Sequence, residues 1–288
     1  MELQQWHDVD YRGRIESVNY TSTDSEGNAK EKYANVYLPY GYDANKKYNV
    51  LYLMHGGGGN PDAWLDACWI KNAFDQSFLN RRCEPFIAVF PTYYYEEPTV
   101  SRAKGKGMDA ERGNVLFFQK ELKNDLIPAV ESKYSTYAET TDIEGLRASR
   151  GHRAFGGFSM GGVTTWFAFA NNLDVIATFL PLSGDSWEIE RLGGKDFADE
   201  TAKLLADSVI NQGFGKGDFN ILCGTGTTDI ACPQVVPQIE AMKKLTDVFE
   251  YSEDLTKGNL HFVLKPDAPH AYEEVCQHVY NYMPYIFK

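Results

Sequence analysis

The pentapeptide Gly157-Phe158-Ser159-Met160-Gly161 closes an apolar run and constrains the fold more than any other feature of the chain. In a G-x-S-x-G elbow a strand turns into a helix so tightly that the central serine takes a strained backbone conformation. Glycines flank it because a Cβ at either place would collide with the neighbouring strand or helix. The turn raises the serine hydroxyl above the sheet and aims a helix N-terminus at an oxyanion formed there. The context fits, with a strand expected over 152–156 and a buried helix over 162–170, and Gly156 and Gly162 widening the glycine cluster. The expected fold is therefore α/β, an α/β-hydrolase fold with a mostly parallel central sheet and helices on both faces.

The remaining apolar runs alternate in the order that such a fold needs. Segments 14–21 and 32–39 read as an antiparallel strand pair at the sheet edge. The continuous apolar run 48–54 reads as a buried strand that ends in His55-Gly56-Gly57-Gly58-Gly59. A helix is expected over 61–80, with Pro61 in its first turn, then a strand over 85–90 and a helix over 114–134 that Pro128 kinks. Beyond the elbow, strands are expected over 175–182, 218–224 and 260–264. Helices are expected near 197–211 and 237–245, with a last one over 271–287. With 288 residues, 43% of them hydrophobic, and no Pro/Ser-rich linker, the chain reads as a single domain over 1–288. The long, irregular stretch 93–113, which contains Tyr93-Tyr94-Tyr95, is expected to be a lid insertion over the site.

Lys and Arg number 28 against 40 Asp and Glu, a formal charge of −12. So acidic a chain lacks the electrostatic footprint of a nucleic-acid binder and should not adhere to anionic membranes. No apolar stretch approaches the length of a transmembrane helix, so neither nucleic acid nor membrane is an expected partner. The N-terminal residues show no basic region followed by an apolar one, so no signal peptide is read here. Five cysteines, odd in number and without C-x-x-C spacing, read as buried free thiols with no zinc or other metal site.

A serine hydroxyl needs a base to take its proton. In this fold the chain order is serine, acid, histidine, and only His261, His270 and His278 follow Ser159. His261 lies within a strand pattern and His278 within a helix. His270 follows the last strand in Pro266-Asp267-Ala268-Pro269-His270 and is the expected base. Asp229, after the strand in Cys223-Gly224-Thr225-Gly226, is the expected acid. Asp185, in Leu182-Ser183-Gly184-Asp185-Ser186-Trp187, is its rival and is expected to shape the site instead. The oxyanion donors should be the backbone N–H of Met160 and that of Gly57 in the glycine loop, with Gly58 the neighbouring candidate beside bound substrate. No cofactor is needed for this chemistry.

Several blocks together resemble the feruloyl esterases of carbohydrate esterase family one. They are Leu53-Met54-His55-Gly56-Gly57-Gly58, the stretch Glu131 to Glu139, Arg153 to Gly162, Pro181 to Trp187, and Pro237 to Lys243. The likeness is greatest to esterase modules attached to xylanases of cellulolytic anaerobes, and it runs from about residue 48 onward. It implies hydrolysis of the ester between ferulate and arabinose side chains of xylan, with feruloylated arabinoxylan or small hydroxycinnamate esters as partners. It also implies secretion, and a place in a modular polysaccharide-degrading enzyme. The family's nucleophile, acid and base fall on Ser159, Asp229 and His270, and its tryptophan on Trp187, which would flank the acyl group. Tyrosines 93–95 could line the same slot. Rival readings keep the triad in an acetyl-xylan esterase or an S-formylglutathione-type hydrolase, or reduce the chain to a non-catalytic carbohydrate-binding module.

Overall fold

The computed structural model describes residues 8–96 and 108–288. Strands β1 (Arg14–Thr23) and β2 (Ala29–Leu38) form an antiparallel hairpin at one edge of an eight-stranded sheet. β3 (Val50–Met54), β4 (Ile87–Phe90), β5 (Arg153–Phe158), β6 (Thr178–Leu182), β7 (Asn220–Gly226) and β8 (Leu260–Lys265) are mutually parallel. The order across the sheet is β1-β2-β4-β3-β5-β6-β7-β8. This is the expected α/β-hydrolase architecture.

Period-two alternation assigns side chains to the two faces. In β3, Val50, Tyr52 and Met54 join one core while Leu51 and Leu53 join the other. Both faces are buried, which is why the strand reads as an unbroken apolar run. On the first face pack α3 (Met108–Glu121), α4 (Ile127–Lys133), α6 (Met160–Asn171), α8 (Ala198–Asn211) and α9 (Cys232–Met242). The second face is covered by α1 (Ala63–Ala67), α2 (Ile70–Leu79) and α10 (Tyr272–Tyr282). Short helices α5 (Ile143–Ala148) and α7 (Gly193–Asp196) are also present.

The chain runs from β3 outward to β4 and then returns to place β5 on the other side of β3. The order therefore reverses between β3 and β5, and a crevice opens there beyond the carboxyl ends of the strands. The glycine loop leaves β3 and the elbow leaves β5, so the topology brings the two together before any side chain is considered.

Three helices depart from expectation for local reasons. The helix expected over 61–80 is two, because Trp64 and Cys68 are buried on one phase while Ile70, Ala73 and Phe74 are buried on another. Cys68 and Ile70 stand about 200° apart around a helix, so the chain breaks at Trp69, whose φ is +55°. The helix expected over 114–134 already includes Met108 and loosens into a π-helical turn (Leu122–Leu126) before Pro128, which has no N–H to donate to the carbonyl four residues back. The helix expected near Pro237 includes it as an interior residue. Val235, Gln238, Ile239 and Met242 are buried at helical spacing, so packing carries the helix through the proline. The cysteines are all free; Cys68, Cys223 and Cys276 are buried, whereas Cys83 and Cys232 are partly exposed. Of the expected lid, residues 97–107 lie outside the described residues.

Candidate active site

Ser159 sits at φ +57°, ψ −116°, between the end of β5 and the start of α6. A non-glycine residue there costs about 1–3 kcal/mol, which the packing around it must overcome. The close approach of strand and helix explains two of the glycines. A Cβ on Gly157 would lie 2.6 Å from the Gly161 carbonyl, and one on Gly161 would lie 2.4 Å from the Met54 carbonyl oxygen.

His270 Nε2 lies 2.9 Å from Ser159 Oγ, and His270 Nδ1 lies 2.7 Å from Asp229 Oδ1. A carboxylate oxygen only accepts, so Nδ1 carries the proton and Nε2 is left to accept from the serine hydroxyl. Burial alone would raise the Asp229 carboxyl, but the bonds from His270 and from the Ala231 N–H hold it below the usual carboxylate range. Its side chain is 1% exposed against 18% for His270, so the acid is sealed and the base faces the crevice. Phe158 lies against the imidazole, with ring centroids 4.6 Å apart. Asp185 makes no hydrogen bond with the histidine. Its two oxygens accept from Trp187 Nε1 at 3.0 Å and Gly194 N–H at 2.9 Å, which fixes the indole.

His261 and His278 are elsewhere. His261 Nδ1 bonds the Ser252 carbonyl at 2.8 Å, and His278 is buried on α10 beneath Gly224. His55 is buried too, and desolvation pushes its pKa down to about 4. The neutral ring donates from Nδ1 to the Gly56 carbonyl and accepts at Nε2 from Thr92 Oγ1, at 2.7 and 2.8 Å.

The glycine loop touches the elbow: a Cβ on Gly56 would stand 3.5 Å from Ser159 Cβ. Three of its N–H groups are taken, that of Gly56 by the Tyr272 hydroxyl and that of Gly58 by the Tyr94 hydroxyl, each at 2.9 Å, and that of Gly59 by the Gly56 carbonyl at 3.0 Å. Gly58 therefore does not offer its N–H to substrate as expected. Among the described residues no bond engages the N–H of Gly57 or of Met160. These are the two groups expected to receive an oxyanion.

Beside Ser159 opens a slot of about 130 Å³, lined by the apolar Met108, Met160, Val163, Trp187, Leu192 and Ile230 and by the polar Asp185, Gln234 and His270. Hollows of about 500 and 490 Å³ near the far end of α6 are larger but neither is lined by a histidine, so chemistry and not size selects the slot. Tyrosines 93–95 do not line it. Tyr93 and Tyr94 instead pack on His55, with centroids 5.0 and 5.7 Å away, and both hydroxyls bond Glu111. Met108, Leu192, Ile230 and Gln234 had no sequence signal, since they reach the slot from three separate segments. Among the described residues no three His, Cys, Asp or Glu side chains cluster as metal ligands, and no helix is long and apolar enough to cross a membrane.

Residues 25–238 match the family model described as putative esterase. The chain is 42% identical over 276 residues to endo-1,4-beta-xylanase Y of Acetivibrio thermocellus, a match covering 96% of this chain and 23% of that protein. It is 29% identical over 185 residues to an endo-1,4-beta-xylanase/feruloyl esterase of Xylanibacter ruminicola, covering 62% of this chain and 23% of that one. The chain thus spans about a quarter of the length of these curated relatives. Among solved structures, a serine-to-alanine mutant of the feruloyl esterase module from Clostridium thermocellum, complexed with sinapinate, superposes with a TM-score of 0.83 at 40% identity. That match covers 98% of this chain and 90% of the other.

Proposed function

This chain belongs to the esterase family whose model it matches, and on that premise we propose that it is a serine esterase hydrolysing feruloyl and related hydroxycinnamoyl esters on arabinoxylan side chains. The observation that carries the reading is the continuous line from Asp229 through His270 to Ser159, at 2.7 and 2.9 Å, opening on an apolar slot with an indole in its wall. His270 takes the Ser159 proton as Oγ attacks the ester carbonyl, and the N–H groups of Met160 and Gly57 receive the oxyanion. The imidazolium, steadied by Asp229, then protonates the departing sugar hydroxyl. Water activated by the same imidazole cleaves the acyl-enzyme and releases the acid. The slot suits a flat ring, because a rigid aromatic acyl group buries much area with few rotors to freeze.

Relatives that join such a segment to a xylanase support a place in a modular polysaccharide-degrading enzyme acting outside the cell. Initial rates on methyl ferulate, methyl sinapate and 4-nitrophenyl acetate test the substrate reading. A strong ferulate preference that vanishes in Ser159→Ala is the expected result. Brisk acetate cleavage without ferulate turnover would move the protein to the deacetylases.

A further inference from the structure

The first described residues of α3 reach both walls of the crevice. On one side Glu111, 1% exposed, accepts from the Tyr94 hydroxyl at 3.0 Å, and that same hydroxyl accepts the Gly58 N–H at 2.9 Å. A hydroxyl that donates to a carboxylate becomes a better acceptor. This buried acceptor therefore tightens the grip on the residue next to Gly57. On the other side Arg112 donates from Nε to the Trp187 carbonyl at 2.7 Å and from Nη2 to the Glu188 carbonyl at 2.9 Å. Its planar fork fixes the backbone that carries the indole, which one ammonium could not do equally. Between the two, Met108 lines the slot itself.

We propose that this turn of α3 is a cross-brace in which Glu111 positions the oxyanion loop, Arg112 positions the tryptophan wall, and rate and acyl selectivity are thereby set by adjacent residues. Neither side chain touches the reacting atoms, so both are positioning residues. The selectivity half rests on the feruloyl esterase reading above; the rate half does not, because oxyanion stabilisation serves any ester. A misaimed loop weakens a bond made fully only in the transition state and lowers kcat. A loosened Trp187 weakens the binding of an aromatic acyl group and leaves a methyl group with little to lose.

The test measures kcat and KM on methyl ferulate and 4-nitrophenyl acetate, per active site titrated with a fluorophosphonate. Arg112→Ala should raise KM for ferulate and cut the ferulate-to-acetate ratio of kcat/KM by about tenfold, with Arg112→Lys between it and wild type. Glu111→Ala should lower kcat about tenfold on both esters without changing that ratio, and Glu111→Gln, which still accepts from Tyr94, should restore most of it. Tyr94→Phe tests the same arm should Glu111→Ala fail to fold. Wild-type kinetics per titrated site in these variants, or equal losses on both esters in Arg112→Ala, would overturn the brace. A wild type that cleaves acetate but not ferulate would instead sink the substrate reading together with the Arg112 arm, and the acetate rates alone would still decide the Glu111 arm.

Discussion

At one end of β5 the Arg153 guanidinium is sealed among groups that use every one of its donors. It bonds both oxygens of Glu131 at 2.6 and 2.8 Å, Ser149 Oγ at 2.9 Å, and the carbonyls of Leu146 and Val175 at 3.1 and 2.6 Å. Glu131 accepts in addition from Tyr52 and Thr136. At the other end, Ser159 holds a strained backbone beside two N–H groups that no bond engages among the described residues. The same strand thus carries a closed polar network and an open one. A buried network in which every donor and acceptor is matched makes one arrangement rigid. An open one keeps donors fixed in place for charge that exists only during reaction. Satisfying the second end as fully as the first would fill the place that the proposed mechanism gives to the substrate oxygen.

Breaking each end separately should expose the difference. The largest effect is expected from Ser159→Ala, which should lower kcat on methyl ferulate by about 10⁴-fold or more. Its urea-unfolding free energy should stay within about 1 kcal/mol of wild type. Arg153→Ala should do the reverse. It strands the buried Glu131 carboxylate and should cost about 3–5 kcal/mol of stability, read from urea unfolding at pH 7. Six residues of extended strand put that site about 20 Å from Ser159. Turnover per titrated active site should therefore stay within about threefold of wild type. A large kcat loss in Arg153→Ala at full occupancy of the folded state would mean that the two ends are coupled through β5.

The open end was far more legible in the sequence than the closed one. G-x-S-x-G and the glycine run are local patterns dictated by a tight turn and a close approach, so Ser159, Met160 and Gly57 could be named from short windows. His270 and Asp229 are picked out by the chain order of the fold together with their places after the last strand and after the strand before it. The Arg153–Glu131 network joins residues 22 apart with no motif between them, and nothing in either window shows that they face each other. The same holds for Tyr94, Glu111 and Arg112. The tyrosine run was visible, but its service to the glycine loop depends on a helix that enters from beyond residues 97–107. The breaks in helices were hidden for another reason. The division at Trp69 follows from the different helical phases on which Trp64 and Cys68, and then Ile70, Ala73 and Phe74, are buried against the same sheet face, and the short helix α5 spans too few residues for a period, although Asp142 caps it through the N–H groups of Glu144 and Gly145.

A third buried polar group lies behind the open end and gives the smallest of these effects. His278 of α10 is 4% exposed, and a Cβ on Gly224 of β7 would come within 2.7 Å of its Nδ1. Burial pushes its pKa down to about 4; the positive charge of Lys265 adds to this and Asp229 opposes it. The unfolded chain takes up this proton near pH 6.5, the folded chain only near pH 4. Between those values the unfolded state binds more protons, so the contribution is fully present above pH 6.5 and is lost as pH falls toward 4. Integrated over that window it is worth about 3 kcal/mol. His278→Phe, which keeps a ring against Tyr282, removes the titration. The urea-unfolding free energy should therefore fall less between pH 7 and pH 4 in the variant than in wild type, by about the same 3 kcal/mol. His55 carries the same sign with a pKa of about 4, so a residual slope in His278→Phe is expected. An undiminished one would mean that His278 is already protonated in the folded protein, and that the ground behind Asp229 is more polar than its packing implies.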